Sequence, residues 1–315
     1  MKSIVIIALV NMLCFICHAQ AERKIFVVDS ISRKPIEYAC VVFANTDGGT
    51  YSNTQGFFYV PDNIWQINLS IIGYYSKTTV LDKNIDTIFL SPQVYMLGEA
   101  KILPTKKKRK PVELGYAKNH SINNFIYKTG DEVAVYIAID NEKNVYRRIK
   151  SIIIKTRTND MASYKGLLNT DEINDYPSVF KITFYQATEN KEIGLPLHSE
   201  DIVFTSDVLK RTTNLNVETY NVYAPTNGVF VAIEFVGKLH SITKELIINF
   251  KEHVLPTLKT SWGIRNSIVY EKRKFFTTNN AWQRVDKDYE FVKQLKTIDK
   301  SIKESYTPLI SIVLE

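Results

Sequence analysis

Thr50-Tyr51-Ser52-Asn53-Thr54-Gln55-Gly56-Phe57-Phe58 decides how this chain is read. A polar run, Asn53 to Gly56, leads into two phenylalanines. Glycine takes positive φ without a Cβ penalty, so Gly56 is expected to close a hairpin and Phe57 or Phe58 to return to a core. Upstream lies Lys34-Pro35-Ile36-Glu37-Tyr38-Ala39. Pro35 fixes φ at a strand start, and the small Ala39 leaves room for a facing sheet. Downstream, Leu69-Ser70-Ile71-Ile72-Gly73-Tyr74 breaks an apolar strand at Gly73, the mark of a bulge or a close backbone approach, and Tyr74 is placed to cover the end of a sandwich. Around these stretches, residues 25–29, 40–44, 57–60, 66–72, 77–81 and 87–90 read as short strands. Strand spacing of roughly ten residues with no three-turn helix points to a small sandwich or barrel.

In this order the three stretches resemble the carboxypeptidase regulatory-like domain, a small transthyretin-like β-sandwich. Leu97-Gly98-Glu99-Ala100-Lys101-Ile102 stands where that family carries a final Leu-x-Glu-Val strand. Lys24-Ile25 departs from the glycine the family often has early in its first strand. The resemblance covers residues 24–102. It implies scaffold roles for Pro35, Ala39, Gly56, Phe58, Gly73 and Tyr74, and implies no cofactor. In the family such a domain often follows a zinc peptidase domain. Here an apolar leader precedes it, so the resemblance carries no peptidase activity with it.

Lys2 followed by the apolar run Ile4 to Ile16 and the small residues of Ala19-Gln20-Ala21 has the form of a secretory signal, residues 1–19, with cleavage at 21 as the other position. The run is too short for a good membrane span. Cys14 follows Leu13 and Cys17 follows Ile16, so neither has the small preceding residue a lipidated cysteine needs. The expected location is outside the cytoplasm of a Gram-negative cell: periplasmic, or associated with the outer membrane. Of the three cysteines only Cys40 then remains, within an apolar strand, so apolar cores rather than a disulfide must hold the domains. The net charge of +7 favours contact with anionic surface groups in an exported protein, and no nucleic acid partner is expected.

The organisation expected is all-β: a sandwich over residues 22–103, a basic linker over 104–122, and a larger jelly-roll-like sandwich over 123–315 with one or two short helical insertions. Lys106, Lys107, Lys108, Arg109 and Lys110 repel one another and should stay solvated, as a linker and as a candidate contact for anionic groups. In the second domain Val133, Val135, Ile137 and Ile139 alternate with Ala134, Tyr136 and Ala138. Phe180, Ile182 and Phe184 alternate as an inward face with Lys181, Thr183 and Tyr185 as an outward one. Leu239, Ile242, Leu246, Phe250 and Val254 recur at helical spacing, as do Phe291, Leu295, Ile298 and Ile302.

No motif carries a recognisable chemistry. Past the leader, the histidines are His120, His198, His240 and His253, and no two have the spacing of a zinc-binding helix. There is no Gly-x-Ser-x-Gly elbow, phosphate loop or dinucleotide fingerprint. Asp171-Glu172-Ile173-Asn174-Asp175 lacks the ligand spacing and glycine of a calcium loop, and His198-Ser199-Glu200-Asp201 reads as the start of a strand. No catalytic, cofactor-binding or metal residue is therefore assigned. Trp65, Trp262, Trp282, Tyr51, Tyr75 and Tyr164 are candidates for stacking on sugar rings, or for filling cores. The reading is a non-catalytic exported envelope protein that docks a protein or surface partner, with a glycan-binding accessory protein as the alternative and a hydrolase with an unrecognised site as the third. A row of exposed aromatics would favour glycan, and an apolar patch on a polar surface a protein partner.

Overall fold

The computed structural model describes residues 22–44, 46–93, 110–119, 123–124, 128–139, 142–156, 176–206, 211–240, 242–248, 258–262, 264, 266–275, 281–286, 293 and 306–315. The leader, Lys106 to Arg109, His120, Tyr164, the acidic run 171–175, His253 and nearly all of 291–302 lie outside the described residues, as does the side chain of Trp262.

The chain is all-β. Its first sandwich uses β1 (Glu22–Asp29), β2 (Cys40–Phe43), β3 (Gly49–Tyr51), β4 (Phe57–Pro61), β5 (Gln66–Ser70), β6 (Lys77–Val80) and β7 (Thr87–Leu90). One sheet runs β4-β1-β7 and the other β3-β2-β5-β6. Between them Ile25, Val27, Val41, Phe58, Ile67, Leu69, Ile88 and Leu90 form a closed apolar core. Alternation does this work: each sheet offers every second residue to the core and the rest to its outer face.

Gly56 has φ +71°, as its turn requires, but the turn is not a hairpin. β3 pairs with β2, while β4 pairs with β1. The segment between them therefore arches from one sheet to the other. Asn53 holds the arch, its side-chain oxygen accepting from the Gln55 and Phe57 N–H groups. A Cβ at Gly56 would sit 2.5 Å from the Pro35 Cβ, so the two motif residues need each other. Ser52, which the sequence did not single out, ties the same corner: its hydroxyl donates to Ile36 O and accepts from Ala39 N. Tyr74 donates to Asp29 at 2.8 Å, while the other Asp29 oxygen caps the Ile31 and Ser32 N–H groups. Those donors hold the Asp29 carboxyl below its usual range, and burial together with Asp29 pushes the Tyr74 phenol up to about 12.

The second sandwich uses β8 (Val112–Gly115), β9 (Asn123–Asn124), β10 (Asp131–Ile137), β11 (Ile149–Lys155), β12 (Ser178–Ala187), β13 (Ile193–Pro196), β14 (Ile202–Ser206), β15 (Thr212–Asn216), β16 (Val229–Leu239), β17 (Leu246–Ile247), β18 (Lys259–Trp262), β19 (Val269–Arg273), β20 (Gln283–Arg284), β21 (Tyr306–Pro308) and β22 (Ile310–Leu314). The large sheet runs β13-β12-β16-β10-β19-β20, with β14 on β12 and β17 on β16; it faces β15-β11-β22-β8, and β21-β18-β9 makes a small third sheet. Val133, Phe180, Ile182, Phe184, Val231 and Ile233 meet Ile152, Ile154, Ile310 and Ile312 in the core between the two larger sheets.

Two expectations are corrected. The helical spacing from Leu239 does not give a helix in the described part: the chain turns at His240, and Leu246 and Ile247 pair back on Leu239 and Lys238. His240 holds that turn by accepting from the N–H groups of Ile242 and Thr243. The stretch expected as linker includes a strand, since Val112 to Gly115 pair with Leu314 to Ser311. Its start is anchored by Arg147, which donates to Lys110 O at 2.7 Å.

Replacing Gly56 by valine should lower full-chain stability by at least about 1 kcal/mol, because a β-branched residue is strained at positive φ and meets Pro35. Urea denaturation reads this directly, and an unshifted midpoint would show that the arch has another basis.

Candidate functional site

The first sandwich has two outer faces, and they differ completely. The outer face of β3-β2 carries Gly49, Tyr51 and Cys40, with Tyr38 beside them, and it lies against the large sheet of the second sandwich. Tyr38, Cys40 and Tyr51 form one buried cluster with Val179, Val236 and Phe275. Phe275 is the wedge. A Cβ on Gly49 of the first sandwich would lie 2.1 Å from its ring, and one on Gly130 of the second 2.0 Å from it. Tyr51 meets the same ring edge-on, centroids 5.4 Å apart. Gly73, at φ +83°, completes the contact, since its Cβ would fall 2.1 Å from the Ser199 carbonyl oxygen. The close approach expected at Gly73 is thus made with the second sandwich.

Charges are buried beneath this contact. Glu234 accepts from the Tyr51 hydroxyl at 2.5 Å and pairs with Lys274 at 2.7 Å. Lys274 also faces Glu132 at 3.5 Å. Lys181 donates to the Tyr38 carbonyl at 2.5 Å and pairs with Asp201 at 2.6 Å. Burial alone would raise the Glu234 carboxyl, but Lys274 and Lys181 outweigh it and hold the group below its usual value. Burial opposes the Lys274 charge too, and Glu132 and Glu234 outweigh it, so this ammonium is held above its usual range. Tyr51 is driven well up by burial and by Glu234, so it stays a donor. Lys272, next along, is lowered by burial and by Lys274.

This placement corrects two expectations. Tyr51, a candidate for stacking on sugar rings, is 2% exposed, and Lys181 and Thr183, read as outward, are each 5% exposed. They do point away from the core of their own sandwich, and across the junction Tyr51 bonds Glu234 and Lys181 bonds Tyr38 O. Cys40 is the small buried residue expected, its thiol pushed up to about 11 chiefly by burial, which leaves it un-ionised.

Beside the junction an open cleft of about 740 Å³ lies between Pro35 to Tyr38, Ile71 to Tyr74 and Ser199 to Asp201. His198 comes just before the Ser199 to Asp201 wall of the cleft and is itself buried. One ring nitrogen accepts from Phe184 N at 3.0 Å and the other lies 2.7 Å from Glu200 O, so the ring is neutral and structural, and burial lowers its pKa. Among the described residues no three metal-ligating side chains gather.

The other outer face, that of β4-β1-β7, is open. Tyr59 and Phe57 on β4, Lys24, Phe26 and Val28 on β1, and Thr87 and Phe89 on β7 share it, with Phe26 opposite Phe57 and Thr87, and Val28 opposite Phe89. The rings form a row: Phe26 to Phe57 at 5.7 Å and Phe57 to Tyr59 at 5.6 Å. Tyr59 is 50% exposed and Phe89 38%. Lys24 Nζ stands 3.8 Å above the Phe57 ring and the Arg33 guanidinium 4.6 Å above Phe89. Of the expected stacking residues, Trp65 and Tyr75 are exposed, while Trp282 packs edge-on against Tyr185. Ala39 and Phe58 lie in the core beneath this face, and Phe57, next to Phe58, points out of it. Of the basic run, only Lys110 is described, and it is exposed.

No protein-family model and no curated protein matches the chain.

Two measurements probe the buried charges. Lys274→Met leaves Glu132 and Glu234 without their nearest cation and should cost about 3–5 kcal/mol in urea unfolding, the usual loss when one partner of a buried pair is removed. A loss under about 1 kcal/mol would show the pair to be open to solvent. Asp131, raised to about 7 mainly by burial, works in the opposite direction from Glu234. Glu234 contributes stability above the unfolded carboxylate value that is lost as pH falls through its depressed folded value. Asp131 binds a proton in the fold up to about pH 7 that the unfolded chain has released, so its effect on stability is adverse and grows as pH rises from about 4 to 7. Asp131→Asn should therefore raise the unfolding midpoint at pH 8 and leave it little changed at pH 4.

Proposed function

We propose that this protein is a non-catalytic exported envelope protein that docks a protein partner through its N-terminal sandwich. The observation that carries the reading is the asymmetry of that sandwich: the β3-β2 part of one sheet is covered by the second sandwich, and the other sheet holds an aromatic row exposed to solvent. Aromatic and cationic side chains gathered on one exposed patch are the composition of protein-docking surfaces. The likeness of residues 24–102 to the carboxypeptidase regulatory-like domain supports the same reading, since such domains serve as modules beside other domains. The leader-like start of the sequence supports export to the periplasm or outer membrane.

The glycan alternative ranks second on geometry. A pyranose stacks on a bare ring face, and the face of Phe57 is occupied by Lys24 at 3.8 Å. Trp65 and Tyr75 are exposed, but neither belongs to the row.

A photo-reactive residue at Tyr59, introduced into the full protein in its own cells, should form protein adducts, and the same residue at exposed Thr78 should not. The mature protein recovered from the envelope should begin at Gln20 or Glu22. Adducts at Thr78 alone, or none at either position, would overturn the docking assignment, and a retained Met1 would overturn export.

A further inference from the structure

We infer that the open face of β4-β1-β7 takes an extended acidic segment of a partner protein, with two carboxylates bracketing apolar side chains. The inference rests on the docking role proposed above and names the chemistry of the partner.

The face has a row of rings, with one cation over the Phe26–Phe57 pair and another over Phe89. Lys24 stands over the Phe57 and Phe26 rings, 3.8 and 4.9 Å from their centroids. Arg33 stands over Phe89, which lies opposite Val28. The Lys24 ammonium thus stands at the level of Phe26, two steps along β1 from Val28 and one to two strands across from Phe89, so the cations are roughly 10 Å apart. Among the described residues neither Lys24 nor Arg33 has an ion-pair partner, whereas Arg23, one position away on the opposite side of β1, pairs with Asp62. Among the described residues the one carboxylate that strand alternation adds to this face is Glu22, two positions before Lys24 and opposite Pro61. The two cations are therefore held over low-dielectric rings with their charge unanswered.

Charge decides the occupant. A second copy stacked on this face in two-fold fashion would set Lys24 and Arg33 against the same residues of its neighbour, and like charges at an interface are costly. A neutral sugar would have to displace the cations from the rings. An extended chain with carboxylates roughly 10 Å apart answers both cations at once, and its apolar side chains cover Phe26, Phe57, Tyr59 and Phe89. Tyr59 and Arg33 are of the residue types that dominate binding energy at such contacts.

The test is selection of a random peptide display library on the mature full-length protein, followed by affinity measurement of the enriched peptides. Enriched sequences should carry two Asp or Glu residues about three positions apart with aromatic or aliphatic residues between or beside them. Their affinity should fall at least tenfold for Lys24→Glu/Arg33→Glu and for Tyr59→Ser, should stay unchanged for Thr78→Ala, and should weaken with salt. If the charge reversal lowers the melting temperature, Lys24→Gln/Arg33→Gln answers the same question with a smaller change. Anionic lipid vesicles and a panel of soluble oligosaccharides form the other arms. Enrichment of peptides without the acidic pattern, or none, overturns the inference. So does binding of vesicles or oligosaccharides that is lost on Tyr59→Ser. Acid-free peptides together with cellular adducts at Tyr59 would remove this inference and leave the docking role standing; absence of those adducts removes the docking role itself.

Discussion

The carboxylate of Glu234, held between the Tyr51 hydroxyl and the Lys274 ammonium, is the interaction on which the arrangement of the two sandwiches depends. Taking a carboxylate out of water costs several kcal/mol unless donors surround it. One donor here comes from the first sandwich and the other from the second. The charged face of the large sheet is thus satisfied only when the first sandwich covers it. Lys181 repeats the logic, donating across the junction to Tyr38 O. Phe275 and the glycines it rests on then fix the position of one layer on the other, because no side chain at Gly49 or Gly130 would leave room for the ring.

Much of the architecture was legible from alternation. The two faces of β10 and β12 divide as their residues indicate, and the turn glycines have the positive φ their positions demand. What was not legible is what covers a face. Lys181, Thr183 and Tyr185 sit at outward positions of an alternating strand, and sequence alone gives such a face to solvent. The first sandwich covers Lys181, Trp282 packs on Tyr185, and cations and carboxylates pair there from positions far apart along the chain. The same limit explains Tyr51 and the Gly56 arch: a polar turn before an apolar pair looks alike whether the chain returns to the same sheet or crosses to the facing one. The spacing from Leu239 to Leu246 fits a helix and also a short hairpin, and backbone pairing settled it as the latter.

The candidate surface was less legible still, for a reason built into strands. Phe57 and Phe58 are neighbours in sequence and opposites in space: Phe58 belongs to the core and Phe57 to the open face. The residues that identify the scaffold are those the core constrains. Those that meet a partner are interleaved with them, one position away, on β1, β4 and β7, and gather only once the sheet forms. Lys24 and Arg33 carry no signal as single basic residues. Their position over rings gives them meaning.

The strand pairing has a consequence for how the chain acquires its shape. β1 is the middle strand of its sheet, and both its neighbours, β4 and β7, come later in the chain. In the second sandwich β8 waits in the same way for β22, near the other extreme of the sequence. Each unit is closed by its earliest and its latest strands, so nearly all the loop-closure entropy is spent before the closing contacts form. A chain emerging N-terminus first therefore presents β1 early, with Ile25 and Val27 on one side, Phe26 on the other, and unpaired edges on both. Such a strand is open to mispairing until its partners arrive. The yield of folded protein is then set by how long that first strand stays uncovered, and a holding factor, or quick delivery of β4 and β7, becomes part of what the sequence requires.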